Sequence, residues 1–247
     1  MAAAGFLSRP TLAKALGLGG GEELAAARRD TLWRLQRDKL LERVAHGGEI
    51  GWRLTAAGRK RLAELRNAPQ LRRRRWDGQW RLVMFDFPEA SRKQRDAFRW
   101  WLRTERLGQL QKSVWVSAFP LSPELTRFLK EAAELNWILW FESPEKGPVA
   151  DAEIARRAWP LLKLADDYSD YIVEFGKRVV ALEQGRAAPG HLGRWRTEEV
   201  AVYEALLRRD PFLPTGLLPP HFPGSAADEL HARFVNALVR ASQGTDG

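Results

Sequence analysis

The 247-residue chain contains no cysteine. That excludes disulfides, thiol nucleophiles and thiolate metal sites, and it suits a reducing compartment. Histidine is scarce too. His46, His191, His221 and His231 are scattered without the spacing of metal ligands, so surface or incidental packing roles are expected of each. No apolar run approaches the roughly 18 residues of a membrane span. The opening MAAAGFL is too short for the apolar core of a secretion signal and has no basic segment before it. A soluble cytoplasmic protein with no membrane partner is the expectation, and nothing in the sequence asks for a cofactor. The glycine-rich LGLGGG lacks the Lys-Ser/Thr of a P-loop and follows no strand, so it reads as a turn.

What is present is ample core and uneven charge. Apolar residues make up 45% and aromatics 10%, enough for two or three compact units of about 100 residues each. Residues 1–75 hold 17 Lys/Arg against 7 Asp/Glu, a balance of +10, whereas residues 76–247 hold 23 against 24. All the excess positive charge thus sits in the first third, and it survives removal of the four consecutive arginines Arg72, Arg73, Arg74 and Arg75. A basic module on a neutral body is the arrangement of a protein that grips a polyanion with one part only.

Within that basic third, PTLAKAL (10–16) predicts a short helix stopped by Gly17. Glu22 to Leu41 predicts a second, with Leu24, Leu32 and Leu35 on one side and Arg34 and Arg37, flanked by Trp33 and Arg29, on the other. An ordinary surface helix with an Asp30–Arg34 pair would show the same pattern. The segment after this helix separates the two readings. LERVAH, Gly47-Gly48 and EIGWRL predict a hairpin, after which Thr55 caps a helix that should stop before Pro69. Helix, helix, hairpin and helix is the order of a winged helix-turn-helix, and the stretch is similar to many bacterial winged-helix regulators. Double-stranded DNA is the expected partner. The candidate contacts are Arg28, Arg29, Thr31, Trp33, Arg34 and Arg37 on the recognition helix, with Arg59, Lys60 and Arg72 to Arg75 on phosphates.

The middle third predicts strands at Gln79–Phe87, near Gln109–Gln111, at Lys112–Phe119 and at Asn136–Phe141. Helices are expected over Ala90–Leu107 and from Ser122 to about Leu135. The order βαββαβ is that of a ferredoxin-like unit. Both strand faces are apolar, and two helices cover only one of them, so the other face must meet another domain or a second copy of the chain. From Asp151 the chain reads helical, over 151–164, about 166–184, 195–209 and 225–241, with GRAAPGHLG as an exposed loop and Ser225 as a cap. Tyr168, Tyr171 and Phe175 recur at helical spacing and read as core or interface.

The stretch WDGQWRLVMFDFPEASRKQRDAFRWWLRTERLGQLQKSVWVS resembles the central domain of the PaaX family, repressors of phenylacetate-degradation operons. That domain is itself similar to the small ferredoxin-like subunit of CRISPR spacer acquisition. DPFLPTGLLPPHFPGSAADEL is similar to the family's C-terminal motif, and the resemblance spans about residues 20–242. It implies an α+β regulator of three parts: a winged helix-turn-helix (1–71), a ferredoxin-like domain (72–149) and a helical domain (150–247). It further implies a homodimer on double-stranded DNA with an acyl-coenzyme A thioester as inducer, for which no motif names the residues. In the CRISPR subunit an acid ending the first strand pairs with its symmetry mate and binds a divalent metal. Asp86 holds that place here, so a metal-dependent nuclease, or a non-catalytic nucleic-acid scaffold, is the alternative function. A carboxylate serving only the turn into the next helix is the simpler reading of Asp86, and no enzyme activity is expected.

Overall fold

The computed structural model describes residues 6–7, 35–37, 39–46, 49–132, 137–144 and 147–243. The chain forms two compact units, each assembled from separated stretches: residues 1–68, 174–204 and 230–247 in the first, residues 69–173 and 205–229 in the second.

In the first unit, β1 (Phe6–Leu7), β2 (Leu41–His46) and β3 (Glu49–Leu54) form an antiparallel sheet in the order β1-β3-β2. The hairpin has the expected register, with His46 opposite Glu49; its turn residues and the expected helix at 10–16 lie outside the described residues. The helix expected to reach Leu41 ends sooner. Lys39 takes a left-handed φ of 54°, Leu40 N–H donates to the Leu35 carbonyl and Lys39 N–H to that of Gln36. These two bonds make a Schellman ending with lysine where glycine is usual, which frees Leu41 to start a strand. Leu41 and Trp52 are buried, with Leu35 and Leu54 packed against them.

Thr55 then starts α1 (Ala56–Arg72) as expected: Gly58 N–H donates to its Oγ1 at 3.0 Å, while that hydroxyl donates to the Lys39 carbonyl at 2.6 Å. The helix does not stop before Pro69 but runs through it to Arg72. A proline there removes the N–H that would bond four residues back. The rest of the first unit comes from residues 174–204 and 230–247, which take in the later part of α5 (Leu161–Glu183), most of α6 (Leu192–Arg209) and the later part of α7 (Gly224–Gln243). Phe175 meets Phe234 edge-on, Tyr203 stacks on His231, and Arg178 bonds Glu198.

The second unit is built on β4 (Trp80–Phe85), α2 (Arg92–Thr104), β5 (Gly108–Gln111), β6 (Val114–Ser117), α3 (Pro123–Ala132) and β7 (Ile138–Ser143). The strands are all antiparallel, in the order β5-β6-β4-β7, which is the ferredoxin-like arrangement of βαββαβ. On one face Val83, Phe85, Trp115 and Ile138 pack against Phe98 and Leu102 of α2 and Leu125 and Leu129 of α3.

The chain supplies its own cover for much of the other face. Trp80, Val116, Ala118 and Phe119 pack with Ala155 and Ala158 of α4 (Asp151–Ala158), with Trp159 and Leu161, and with Leu213 and Leu217. The Trp80 indole N–H donates to Asp151 at 2.8 Å, so the buried ring keeps its polar handle satisfied. Further along the same face Leu139 and Phe141 stay exposed.

Two expectations for the helical segments fail for local reasons. The helix expected over 151–164 breaks at Trp159, which is extended (φ −129°, ψ 145°) because Pro160 follows it. The last helix starts at Gly224, so Ser225 lies inside its first turn and does not cap it. Tyr168, Tyr171 and Phe175 are all buried, as their spacing suggested.

Gly108 marks where α4 and Trp159 approach the sheet most closely. A Cβ there would lie 2.5 Å from the Trp159 ring. Gly108→Ala is therefore expected to cost about 1–3 kcal/mol of stability through overpacking. Gly176→Ala, in open space on α5, should instead gain roughly 0.5–1 kcal/mol from helix propensity. Thermal denaturation of the two variants checks this; equal melting temperatures would refute the close approach.

Candidate nucleic-acid interface

Of the residues expected to touch DNA, Arg28, Arg29, Thr31, Trp33 and Arg34 lie outside the described residues, as does the Lys60 side chain. Arg37 is exposed at the end of the helix that Lys39 terminates. Arg59 is exposed in the first turn of α1, and its Nη1 donates to the Leu54 carbonyl at 2.7 Å, tying the helix start to the end of β3. The hairpin itself carries two exposed cations that sequence reasoning passed over, Arg43 and Arg53. Strand alternation could have found them. Arg53 is held by Glu42 of the paired strand at 2.8 Å, an exposed contact worth only a few tenths of a kcal/mol.

The four consecutive arginines divide into different environments. Arg73, Arg74 and Arg75 are exposed. Arg74 reaches back over the Phe119 ring, its guanidinium carbon 3.6 Å from the centroid. Arg72 turns into the interior of the second unit. Its Nε donates to Asp228 at 2.7 Å, Nη1 to Asp210 at 2.6 Å and Nη2 to the Tyr168 hydroxyl at 2.9 Å; the guanidinium also faces the Phe212 ring. The Tyr168 hydroxyl in turn donates to Asp210 at 2.7 Å, and Phe212 N–H donates to the other oxygen of that carboxylate.

Only 9% of the Arg72 side chain is exposed, against 0% for Asp210 and 4% for Asp228. Burial acts to lower the Arg72 pKa, but Asp210, Tyr168 and Asp228 outweigh it and hold the group above the ordinary arginine value. Burial, and then the Asp210 charge, push the Tyr168 hydroxyl well above its usual range, so it remains a neutral donor. Arg72 is thus an internal anchor whose charge is already answered. It is not available to a phosphate.

Asp86 sits at the end of β4 with an exposed side chain, and its N–H donates to the Trp137 carbonyl at 2.8 Å, extending the pairing with the strand after α3. It does not serve the turn as expected. The short 3-10 turn at Glu89–Ser91 starts from Pro88, whose backbone is already extended (φ −52°, ψ 150°), and neither that turn nor α2 has a side-chain cap. Among the described residues there is no grouping of three His, Asp or Glu side chains suited to a metal.

These features define an α+β protein with a central antiparallel sheet and a helical C-terminal part, preceded by a basic N-terminal segment. Two family models match it: the PaaX protein central Cas2-like domain over residues 73–155, and the PaaX-like protein C-terminal domain over residues 159–245. The chain belongs to the PaaX family, with a Cas2-like middle domain. The transcriptional repressor PaaX of Escherichia coli is 26% identical over 242 residues, covering 92% of this chain and 72% of that protein. Among solved structures, an uncharacterized protein from Mycobacterium tuberculosis superposes with a TM-score of 0.62 at 21% identity, covering 100% of this chain and 94% of that one. At that identity the likeness speaks for the fold alone.

Removing one partner from a buried ion pair costs far more than removing a solvated charge. Arg72→Met strands Asp210 and Asp228, with an expected loss of about 3–5 kcal/mol. Arg75→Met should change stability by less than about 0.5 kcal/mol. Urea unfolding of the two variants measures the difference, and similar midpoints would show that Arg72 is no anchor.

Proposed function

We propose that this PaaX-family protein is a transcriptional repressor that binds double-stranded operator DNA through an N-terminal winged helix-turn-helix, residues 1–71. In this reading the ferredoxin-like domain (72–149) and the helical domain (150–247) form the body of a cytoplasmic homodimer and receive an acyl-coenzyme A effector. The protein is a non-enzymatic regulator. The observation that carries the reading is the β2–β3 hairpin followed at once by the Thr55-capped α1, in the third of the chain that holds a +10 charge. Two further facts support it: family membership, and the repressor role of the Escherichia coli relative.

The recognition helix presents Arg28, Arg29, Thr31, Trp33, Arg34 and Arg37 to the major groove, while Arg59, Lys60, Arg73, Arg74 and Arg75 meet phosphates. Arg72 leaves this set because its charge is neutralised internally. A two-fold dimer sets the two recognition helices at successive major-groove faces of a near-palindromic site. The effector weakens binding by preferring a protein conformation that the operator does not. Among the described residues no group of three His, Asp or Glu side chains could hold a metal for a nuclease centred on Asp86, and the reading does without one.

Footprinting on the DNA upstream of its own gene, with and without candidate thioesters, locates the operator. The double variant Arg34→Ala/Arg37→Ala should stay folded by circular dichroism and lose at least about thirty-fold in operator affinity, given about 1–3 kcal/mol per lost base contact. Unchanged affinity contradicts the proposal.

A further inference from the structure

Helix α5 runs unbroken from Leu161 to Glu183 and leaves one face uncovered. Leu162 is 60% exposed, Val173 61% and Val180 41%, while the opposite side of the helix buries Leu164, Tyr168, Phe175 and Val179. On the open face Leu162, Asp166, Ser169, Val173, Gly176 and Val180 follow one another at alternating intervals of four and three residues. That is the spacing of a coiled-coil seam, about 27 Å long at 1.5 Å per residue. A Cβ on Gly176 would meet nothing within 4 Å, so the space beyond the middle of the seam is open.

The charges beside this seam differ in whether the chain answers them. Lys163 pairs with Asp167, Glu174 with Arg178 and Glu183 with Arg233. Asp170 and Lys177 are exposed and stand in no ion pair among the described residues. They flank the same side of the seam, seven residues apart and opposite in sign. In a parallel pair of such helices they would meet the partner's other flank, at Ala165 and Ile172. When the helices run oppositely, like flanks meet. A two-fold axis between Val173 and Gly176 then sets Asp170 against the partner's Lys177, and Lys177 against the partner's Asp170. The same register lays Val173 on the partner's Gly176 and Ser169 on the partner's Val180. Asp166 falls opposite the partner's Glu183, a carboxylate that Arg233 already holds at 3.0 Å.

We infer that this face of α5 joins two copies of the chain as an antiparallel helix pair, with apolar contact at Val173 and Val180 and orientation from the reciprocal Asp170–Lys177 pairs. A second copy is the occupant because the face complements itself, as an isologous contact requires: the two-fold exchanges positions of opposite charge. Exposed ion pairs add little strength, but like charges in their place are penalised, and flanking charges thereby choose the partner and its direction. The inference deepens the homodimer of the proposed function and rests on it.

Sedimentation equilibrium of the full-length protein over roughly 1–200 μM reads the association. The mass should rise with concentration from 28.1 kDa toward twice that value. Asp170→Lys and Lys177→Asp each place two like-charge pairs across the seam and should weaken association about ten-fold. The double variant Asp170→Lys/Lys177→Asp restores both pairs with their signs exchanged, and should return to within about three-fold of the parent. Val173→Gln should weaken association about ten-fold as well, whereas Val202→Gln, at an exposed valine of α6, should leave it unchanged.

Circular dichroism checks that each variant is folded. A double variant as weak as either single one overturns the antiparallel register, and equal losses from Val173→Gln and Val202→Gln overturn the seam. A dimer that survives all of these changes removes α5 from the interface and leaves the homodimer standing. A parent that stays at 28.1 kDa across the whole range contradicts the homodimer itself, and the seam with it.

Discussion

A guanidinium taken out of water must be answered by opposite charge or it cannot stay charged and buried. Arg72 meets that condition twice, with Asp210 and Asp228, and Tyr168 fills the remaining donor geometry. Its acidic partners lie 138 and 156 residues further on, so the last turn of α1 can sit as it does only once the 205–229 segment has come back to it. This cluster joins the beginning of the second unit to its end. It also explains how a helix continues past Pro69: the missing backbone bond is outweighed by what the helix terminus holds.

The same unit solves a problem inherent in its sheet. Two helices shelter one face and leave four strands with a second apolar face open to water. Here α4, Trp159 and the Leu213–Leu217 stretch close over the Trp80 end of that face, with Gly108 as the residue whose missing side chain lets the Trp159 ring in. The cover is incomplete toward Leu139 and Phe141. Where it meets the loop after β6, Trp159 and Leu213 line a cavity of about 200 Å³.

Local patterns were legible in the sequence. The Gly-Gly pair and flanking alternation announced the hairpin, Thr55 announced its helix, and two-sided apolar runs announced a sheet covered on both faces. The family motifs announced the Cas2-like middle domain and the C-terminal domain. What escaped was set by distance or by competition. Nothing near residue 72 distinguishes a buried arginine from the exposed Arg73 and Arg75 beside it, because the distinction lies with Asp210 and Asp228. Two prolines act against expectation in opposite directions. Pro160 breaks a helix that periodicity carried through it, since the residue before proline is forced extended, whereas Pro69 fails to stop one that is anchored beyond it. The strand at Phe6–Leu7 is too short for any periodic signal. The cavity was invisible because its walls come from separated stretches of chain.

On the proposed reading the molecule divides into a basic front that grips the duplex and a body close to electrical neutrality. Of the basic run at 72–75, Arg72 belongs to the fold through Asp210 and Asp228, and Arg73, Arg74 and Arg75 stay exposed. Photochemical cross-linking of the intact protein to bound operator DNA, read by mass spectrometry of the attached peptides, tests the division directly. Attachment is predicted within residues 1–75, on the recognition helix, hairpin and first turn of α1. Attachment mainly at residues 76–247 would contradict it.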